Sequence, residues 1–305
     1  MGESIRRFMN TVIFGKSGFV GQNLHIDGIF PSAKECNLLD YQSTYNWLSQ
    51  LKGKKIKIVN LAAKVAGAIY NKNHNVEMLY YNTMISLNLI KSINELELDC
   101  YYLYLSSVCG YDDKQIMNED TFFNGIPNIN NFGYGIAKKF GVLCAKSLSI
   151  DRSNFKSCIL IPTNMYGKHD EYSLEYAHVI PSIFIKMMNK KNNSFKIFGN
   201  AKNLRSFLYA KDMGKIIKTF LDKEIVGMYN VSPDNSISIY NLVKKIKEIT
   251  GYCGKLEFGY SDKIDSRKIL NDRLKSVLGK NWEFTDLDSG LLQTHNWMLE
   301  NKIYG

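Results

Sequence analysis

The sequence predicts an α/β fold, a doubly wound parallel sheet of the Rossmann-like type followed by a smaller C-terminal lobe. Two patterns indicate this. Short runs rich in branched and aromatic residues alternate with segments of helical periodicity, and a glycine-rich turn directly follows the first of these runs. With 305 residues, 45% of them apolar, the chain is long enough for one large and one small domain.

The alternation is clearest in the first half of the chain. Strands are predicted at residues 11–14, 56–61, 101–106 and 157–161, with helices over 76–90 and 136–147. Alternating strands and helices favour a parallel sheet that helices cover on both faces. Further along the chain the pattern is less regular. It indicates a helix after Pro181, a strand at 195–198, a helix from about Asp212, a strand at 228–231 and a helix over 238–250.

Composition excludes several classes of protein. Lys and Arg number 39 against 29 Asp and Glu, a net charge of +10, but the charges are interspersed, as on a solvated surface rather than a nucleic-acid-binding tail. No apolar run is long enough to span a membrane. The six cysteines show no CxxC pair, so neither a disulfide framework nor a metal site is expected. We therefore expect a cytoplasmic protein without metal, nucleic-acid or membrane partners.

A glycine-rich segment follows the first strand and leads into a short helical pattern. Glycines three positions apart let the backbone turn tightly and approach a diphosphate. This position in the chain predicts a dinucleotide site. The residues expected to contact the cofactor are Gly15, Lys16, Ser17, Gly18, Phe19, Val20 and Gly21.

In a Rossmann unit, the end of the second strand bears on the choice of cofactor, and residues 28–34 are the corresponding stretch here. An acid at this point binds the ribose hydroxyls of NAD, whereas small polar or cationic residues admit the extra phosphate of NADP. Residues 28–34 contain no acid before Glu35. The sequence therefore favours NADP(H), with Ser32, Lys34 or the loop residues Lys16 and Ser17 as phosphate contacts.

Three further residues suggest proton transfer to a substrate oxygen. Tyr134 and Lys138 are four positions apart, on one face of a helix expected to open at Gly135. A nearby ammonium lowers the pKa of a phenol, so Tyr134 could exchange a proton with a substrate oxygen. Ser107 follows a predicted apolar strand, and sites gather at the carboxyl ends of parallel strands. The three residues form a candidate catalytic set.

Together with these residues, a series of short motifs resembles the GDP-L-fucose synthase family of extended short-chain dehydrogenase/reductases, whose members are GDP-4-keto-6-deoxymannose 3,5-epimerase-4-reductases. The resemblance covers nearly the whole chain. The matching segments, in family order, are NLAAKVAG (60–67), NTMISLNLI (82–90), SSVCGY (106–111), YGIAK (134–138), PTNMYGKHD (162–170), HVIPS (178–182), RSFLYAKDM (205–213) and RKIL (267–270).

The resemblance implies roles for individual residues. Cys109 and His178 would be the acid and base that invert carbons 3 and 5 of a sugar. NADP(H) would be bound by residues 1–163, with a return segment near 207–231, and residues 164–305 would mainly bind a GDP-sugar. Besides the glycine loop, the implied cofactor contacts are Leu61, Ala62, Ala63, Lys138, Pro162, Asn164 and His178. The implied substrate contacts are Asn164, Lys186, Arg205 and Lys268.

The resemblance also implies a homodimer formed through the helices at 76–94 and 135–149. The sequence departs from the family at several points. The first crossover is short, the arginines expected around the adenosine phosphate are absent, Asp112 replaces a proline and Lys186 replaces an arginine. A further departure, at residues 261–264, lies outside the residues that the structure describes.

Two enzyme functions remain open. The first is an NADPH-dependent epimerase and reductase of a GDP-4-keto-6-deoxy sugar. The second is a 4-reductase without epimerase activity, acting on another GDP-sugar such as a heptose. A non-catalytic NADP-binding regulator is disfavoured by the intact Ser107, Tyr134 and Lys138 set, and an RNA-binding role by the lack of a basic stripe with interleaved aromatics.

Overall fold

The computed structural model describes residues 10–112, 116–189, 193–260, 265–279 and 281–303. The strands are β1 (Thr11–Phe14), β2 (Lys55–Asn60), β3 (Asp99–Leu105), β4 (Ile116–Met117), β5 (Phe155–Pro162), β6 (Asn164–Tyr166), β7 (Ser194–Asn200), β8 (Leu204–Arg205), β9 (Phe207–Tyr209), β10 (Gly227–Val231), β11 (Ile237–Ser238), β12 (Lys255–Gly259) and β13 (Lys268–Ile269). The helices are α1 (Phe19–Gln22), α2 (Tyr41–Ser49), α3 (Ala68–Asn73), α4 (Asn75–Glu95), α5 (Phe132–Asp151), α6 (Val179–Met188), α7 (Ala210–Lys223), α8 (Ile239–Thr250), α9 (Asp272–Leu278) and α10 (Leu287–Glu300).

A five-stranded sheet in the order β1-β2-β3-β5-β10 forms the centre of the fold. Every neighbouring pair in it is parallel. The strands are apolar on both faces because helices cover both. In β1, Val12 and Phe14 pack into the core on one side, whereas Ile13 packs into the core on the other. The predicted parallel α/β sheet is therefore confirmed.

The two faces are covered by different helices. Helices α2, α4 and α5 supply the core on one face, including Leu48, Leu89 and Val142. Helix α7 and the short α9 cover the other face with Ile216 and Leu274. This arrangement leaves the carboxyl ends of β1, β2, β3 and β5 open at one edge of the sheet, which is where ligands bind in doubly wound folds.

The first crossover is the most reduced part of the sheet. Helix α1 is a single turn, and the expected next strand consists of one bridge between Ile29 and Val12. The Ile13 amide donates to the Ile29 carbonyl at 2.9 Å, and the Ile29 amide donates to the Thr11 carbonyl at 2.8 Å. The short spacing noted in the sequence therefore leaves room for two backbone hydrogen bonds and no regular strand.

Helix α5 begins at Phe132, three residues before the predicted start at Gly135. The reason is close packing of α5 on α4. The Gly133 amide donates to the Asn75 side chain at 2.8 Å, and a Cβ at Gly133 would lie 1.9 Å from the Asn75 carbonyl oxygen. This earlier start places Tyr134 in the first turn of the helix.

A third core lies in the C-terminal part of the chain, where α6, α8 and α10 pack together around residues such as Phe184, Leu242 and Leu291. The paired strands β6–β9 and β7–β12 flank these helices. The chain also returns to the main sheet through α7 and β10, which pairs with β5. In the described part of the chain, no helix is long and apolar enough to cross a membrane.

Candidate active site

Ser107, Tyr134 and Lys138 meet at the carboxyl end of β3. Ser107 precedes a single 3-10 turn, and its hydroxyl accepts from the Cys109 amide at 3.2 Å. Lys138 lies one turn after Tyr134 in α5, and its ammonium donates to the Leu105 carbonyl at 2.8 Å. The ammonium is also 5.7 Å from the centre of the Tyr134 ring. The helix start, the strand end and the turn thus bring the three predicted side chains together.

Burial dominates the acidity of Tyr134. The side chain is 9% exposed, and burial raises the pKa of its phenol, with the nearby Cys109 and Tyr104 adding to the rise and a hydrogen bond with Ser107 opposing it. The sequence led us to expect that the Lys138 ammonium would lower this pKa. In the folded protein, the desolvation of the phenol is the larger effect and raises it. The phenol is therefore protonated at neutral pH and can act as a proton donor.

Lys138 is affected in the opposite sense. Its side chain is 4% exposed, and burial lowers the pKa of its ammonium to about 7. Within the residues that the structure describes, no carboxylate pairs with it in an ion pair. The Lys138 ammonium therefore gains or loses its charge close to neutral pH. Its charge can then respond to the protonation state of the neighbouring Tyr134.

Cys109 lies in the 3-10 turn after Ser107, in one apolar cluster with Tyr134 and Tyr176. Burial raises the pKa of its thiol, whereas a hydrogen bond with Ser107 and the charges of Arg267 and Lys138 oppose that rise. The thiol is half-buried. It can donate a proton as it stands, and it needs its cationic neighbours to act as a base.

His178 precedes α6 and has a buried carboxylate as its partner. Its Nδ1 lies 3.4 Å from an oxygen of Asp170, whose side chain is 1% exposed. Burial favours neutral His178, but the hydrogen bond and charge of Asp170 prevail and raise the pKa of the imidazole above its usual value. The Tyr176 carbonyl accepts from the Gly67 amide at 2.8 Å, so this loop lies against the segment that follows β2. An imidazolium is thereby favoured near the strand ends.

The glycine loop and the residues after β2 form a tight cradle. Gly15 has a left-handed φ of 81°, and a Cβ there would lie 2.6 Å from the Ala62 amide nitrogen. A Cβ at Gly21 would lie 2.4 Å from the Gly15 carbonyl oxygen. The Lys16 ammonium donates to the Gly21 carbonyl at 2.8 Å, which holds a cation beside the loop. Only glycine fits these positions, and the cradle suits the diphosphate of a dinucleotide.

The other residues expected to contact the cofactor border the same cradle. Leu61 donates its amide to the Phe14 carbonyl at 3.0 Å, so the chain from Leu61 to Ala63 runs directly beside the loop. Pro162 ends β5 and Asn164 begins β6. The Asn164 amide group donates to the Ser206 carbonyl at 3.2 Å. These five residues lie at the carboxyl edge of the sheet.

One acid near this edge differs from the expectation. Glu35 follows the segment that was expected to bind the extra phosphate of NADP, and its side chain folds back onto Ser32. One Glu35 oxygen accepts from the Ser32 amide at 2.8 Å and from the Ser32 hydroxyl at 2.7 Å. These hydrogen bonds lower the pKa of Glu35. A carboxylate therefore occupies the donors at Ser32, while Lys16 lies 5.5 Å from the centre of the nearby Phe30 ring.

The residues implied as substrate contacts are more dispersed. Arg205 is held by Asp265, with guanidinium-to-carboxylate contact at 2.5 Å. Lys186 lies in α6, where burial lowers the pKa of its ammonium, and Lys268 is exposed in β13. Asn164 lies at the end of the cofactor cradle. The structure thus pairs Arg205 with an acid that sequence reasoning did not single out.

Sequence reasoning missed three groups near this site. Asp170 was part of a matching motif but received no role, although it is the partner of His178. Arg267 was part of the matching motif RKIL but received no role, and it donates to Asp265 two positions away. Asp265 was missed because its contact with Arg205 joins segments 60 residues apart. No local pattern in the sequence marks such contacts.

Comparisons with known proteins agree with this architecture. Residues 26–232 match the family described as the NAD dependent epimerase/dehydratase family. GDP-L-fucose synthase of Dictyostelium discoideum is 28% identical over 309 residues, which cover 95% of each chain.

Two solved structures share the fold. The GDP-L-fucose synthetase from Naegleria fowleri bound to NADP has a TM-score of 0.83 at 20% identity and covers 96% of this chain and 94% of its own. A GDP-6-OMe-4-keto-L-xylo-heptose reductase from C. jejuni has a TM-score of 0.83 at 18% identity, with coverages of 97% and 99%. The matched family region contains the Ser107, Tyr134 and Lys138 set and nearly all of the central sheet. The chain therefore belongs to the NAD dependent epimerase/dehydratase family.

Proposed function

We propose that this protein is an NADP(H)-dependent enzyme that epimerises and then reduces a GDP-4-keto-6-deoxy sugar. The observation that supports the proposal is that two sets of groups with exchangeable protons lie near the carboxyl edge of the sheet, one at the end of β3 and the other partly on the loop that contacts the segment after β2. Ser107, Tyr134 and Lys138 form the first set, and Cys109 and His178 form the second. Similarity to GDP-L-fucose synthases over nearly the whole chain supports the same substrate class.

The first set supplies the proton for reduction. A ketone oxygen bound beside Ser107 receives hydrogen bonds from the Ser107 and Tyr134 hydroxyls. As the ketone becomes an alcohol, Tyr134 gives its proton to that oxygen, and the neighbouring ammonium of Lys138 stabilises the phenolate that remains. When bound, NADPH supplies the hydride. The glycine loop and residues 61–63 would hold it, in a cradle that only glycine permits at Gly15 and Gly21.

The second set moves protons at the carbons next to the ketone. The ketone acidifies these carbons, and the hydroxyls of Ser107 and Tyr134 stabilise the negative charge that forms on its oxygen. The Cys109 thiolate takes a proton from one face, and the His178 imidazolium returns one from the other. Asp170 favours this imidazolium, because its carboxylate raises the pKa of His178.

Deuterium exchange tests this function. In heavy water, the protein should place deuterium at carbons 3 and 5 of a GDP-4-keto-6-deoxy sugar without NADPH, and reduction should follow when NADPH is added. Cys109→Ser should suppress exchange strongly, since a hydroxyl is far less acidic than a thiol, but it should spare NADPH binding. His178→Asn should impair exchange as well. Wild-type protein that neither exchanges nor reduces such a sugar would refute the proposal.

The second candidate is a 4-reductase that does not epimerise its GDP-sugar. The half-buried thiol of Cys109 favours it, because burial raises the pKa of this thiol and a neutral thiol is a poor base. The similarity to the C. jejuni heptose reductase supports the same idea. Reduction of a 4-keto sugar without deuterium incorporation at carbons 3 and 5 would establish this candidate in place of the first.

We further propose a homodimer and a division of labour between residues 1–163, which bind the cofactor, and residues 164–305, which mainly bind the substrate. Helices α4 and α5 expose apolar side chains, among them Val76, Tyr80, Leu87, Leu143 and Ile150. Such a face fits pairing with a second copy. Light scattering should give twice the mass of the chain. Six cysteines without a disulfide fit a reducing compartment such as the cytoplasm.

A further inference from the structure

Tyr176 lies two residues before His178, in a turn at residues 173–177 that leads toward α6. The turn is closed by its own backbone, because the Ala177 amide donates to the Ser173 carbonyl at 2.8 Å. His178 follows the turn directly. The place where the turn rests therefore limits where the imidazole can lie.

The backbone of this turn rests on Gly67. The Gly67 amide donates to the Tyr176 carbonyl at 2.8 Å. A Cβ at Gly67 would lie 2.4 Å from the Ala177 carbonyl oxygen, so a larger residue would push the turn away. Gly67 directly precedes α3. The turn is thus docked against the start of this short helix.

The Tyr176 side chain packs on Tyr70 in α3. The two ring centres are 4.8 Å apart and the ring planes are inclined by 46°, a separation at which aromatic pairs attract each other. The buried Tyr70 is held from other sides as well. Its hydroxyl donates to Glu77 at 2.8 Å, and the His74 ring stacks on it with centres 3.8 Å apart. Tyr70 therefore offers a fixed surface to Tyr176.

This contact between the two tyrosines adjoins the candidate catalytic residues. Tyr70 and Tyr134 belong to one buried apolar cluster. Tyr176 and the thiol-bearing Cys109 both pack against this cluster. The turn that leads to His178 is therefore docked on the same cluster that contains the phenol expected to donate a proton.

We propose that Tyr176 is a positioning residue that, by packing on Tyr70, holds His178 at the candidate active site. It acts through the turn and transfers no proton itself. A reacting group misplaced by about 1 Å can lose about 10²-fold in rate, so proton transfer by the imidazole needs the docked turn. The proposal rests on the epimerase function above, but the docking can be measured without any sugar.

Hydrogen exchange at the Gly67 amide, followed by NMR without ligands, measures how often the turn leaves its place. Tyr176→Ala removes the ring contact, so this amide should exchange about threefold to tenfold faster than in the wild type. Tyr176→Phe keeps the ring, and its Gly67 amide should exchange at nearly the wild-type rate.

Two controls separate this effect from a general loss of structure. Leu174→Ala shortens a side chain in the same turn that is 57% exposed, and it should leave exchange at Gly67 unchanged. The Ser106 amide, which donates to the Leu160 carbonyl at 2.8 Å in the main sheet, serves as the reference for global stability. Equal Gly67 exchange in Tyr176→Ala and the wild type, or an equal rise in Leu174→Ala or Tyr176→Phe, would overturn the proposal.

Deuterium incorporation into the 4-keto sugar shows whether the docking serves proton transfer. Tyr176→Ala should lower incorporation about threefold to tenfold, because the imidazole is then placed less precisely. Gly67→Ala, which crowds the turn without removing the ring, should lower it too, and Tyr176→Phe should retain most of it.

The two measurements distinguish failure of the proposal from failure of the function. Unchanged deuterium incorporation by Tyr176→Ala, despite faster exchange at Gly67, would also overturn the proposal. If the wild type incorporates no deuterium but exchange at Gly67 still depends on the Tyr176 ring, the epimerase function is wrong and the docking by Tyr176 stands.

Discussion

The Tyr134 and Lys138 side of the site differs from the His178 side in what sets the protonation of its groups. Tyr134 and Lys138 are almost fully buried, and burial is the largest influence on the pKa of each. The His178 side chain is 37% exposed, and one carboxylate, Asp170, overcomes the effect of its burial. One side depends on the packing of α5 against β3, and the other depends on a single pair.

This difference predicts how each side responds to change. Where burial sets a pKa, a substitution changes both the chemistry and the packing, and the surroundings can do little to compensate. Where a partner sets it, removal of that partner shifts the pKa and leaves the fold in place. Substitutions of Tyr134, Asp170 and Lys138 should reveal this contrast, with decreasing effect in that order, and substitution of the exposed Glu35 should have the smallest effect.

Tyr134→Phe should cause the largest loss. It removes the proton donor but keeps the ring in its buried place, so NADPH oxidation with a 4-keto sugar should fall about 10²-fold to 10⁴-fold. Cofactor binding, followed by NADPH fluorescence, should stay near that of the wild type. Turnover within a few-fold of the wild type would show that Tyr134 is not the proton donor.

Asp170→Asn should change the pH profile of deuterium exchange. The carboxylate raises the pKa of His178, so its loss should lower the pKa of the imidazole. The imidazolium then disappears at lower pH, so exchange by the variant should fall below that of the wild type as the pH rises. NMR titration of His178 measures the shift directly, and the melting temperature serves as the control for folding. An unchanged His178 titration would show that burial, not Asp170, governs this side.

Lys138→Met should reveal what burial of this ammonium costs in stability. The pKa of Lys138 is lowered in the folded protein, to about 7, so between pH 7 and about 10.4 the unfolded chain binds more protons than the folded one. Wild-type stability should therefore gain from this group as the pH rises through that window, and the variant lacks the gain. The melting temperature of the variant, relative to wild type, should be highest near pH 6 and should fall toward pH 10. A difference that does not vary with pH would mean that Lys138 keeps its proton when folded.

Glu35→Gln should have the smallest effect, because this acid is exposed and its pairing is weak. The carboxylate holds the donors at Ser32 and would repel the extra phosphate of NADP. Its removal should strengthen NADPH binding about twofold to fivefold and leave NADH binding unchanged or weaker. Fluorescence titration with both cofactors measures the ratio, and binding of 2′-AMP against AMP checks that the change lies at the phosphate. A higher relative affinity for NADH in the variant would contradict this role.

The sequence predicted the fold because its signals are local. The periodicity over 76–90 and the strand runs at 101–106 and 157–161 each reflect burial within a few residues, and the structure places α4, β3 and β5 there. The predicted start of α5, at Gly135, was wrong by three residues. The close contact with Asn75 leaves no room for a side chain at position 133. A contact with a residue so distant in the chain does not appear in the hydrophobic periodicity of the sequence.

The candidate site was predictable only in part, for the same reason. Ser107, Tyr134 and Lys138 are marked by a strand end and by helical spacing, and the structure brings them together. The pKa of Tyr134 was expected to fall because of Lys138, yet burial raises it. Desolvation depends on every neighbour in space, so spacing alone could not give its sign. The catalytic roles of Ser107, Tyr134 and Lys138 stay predictions.

The single bridge between Val12 and Ile29 has a consequence for the dynamics of the cofactor edge. Two backbone hydrogen bonds tie the segment around Ile29 to β1, with a single helical turn before it, and such a segment can open without global unfolding. A dinucleotide that binds only the closed form draws this equilibrium toward closure. Hydrogen exchange at the Ile13 amide, which donates to Ile29, therefore reports how often the edge opens, and the affinity for cofactor includes the free energy of closing it.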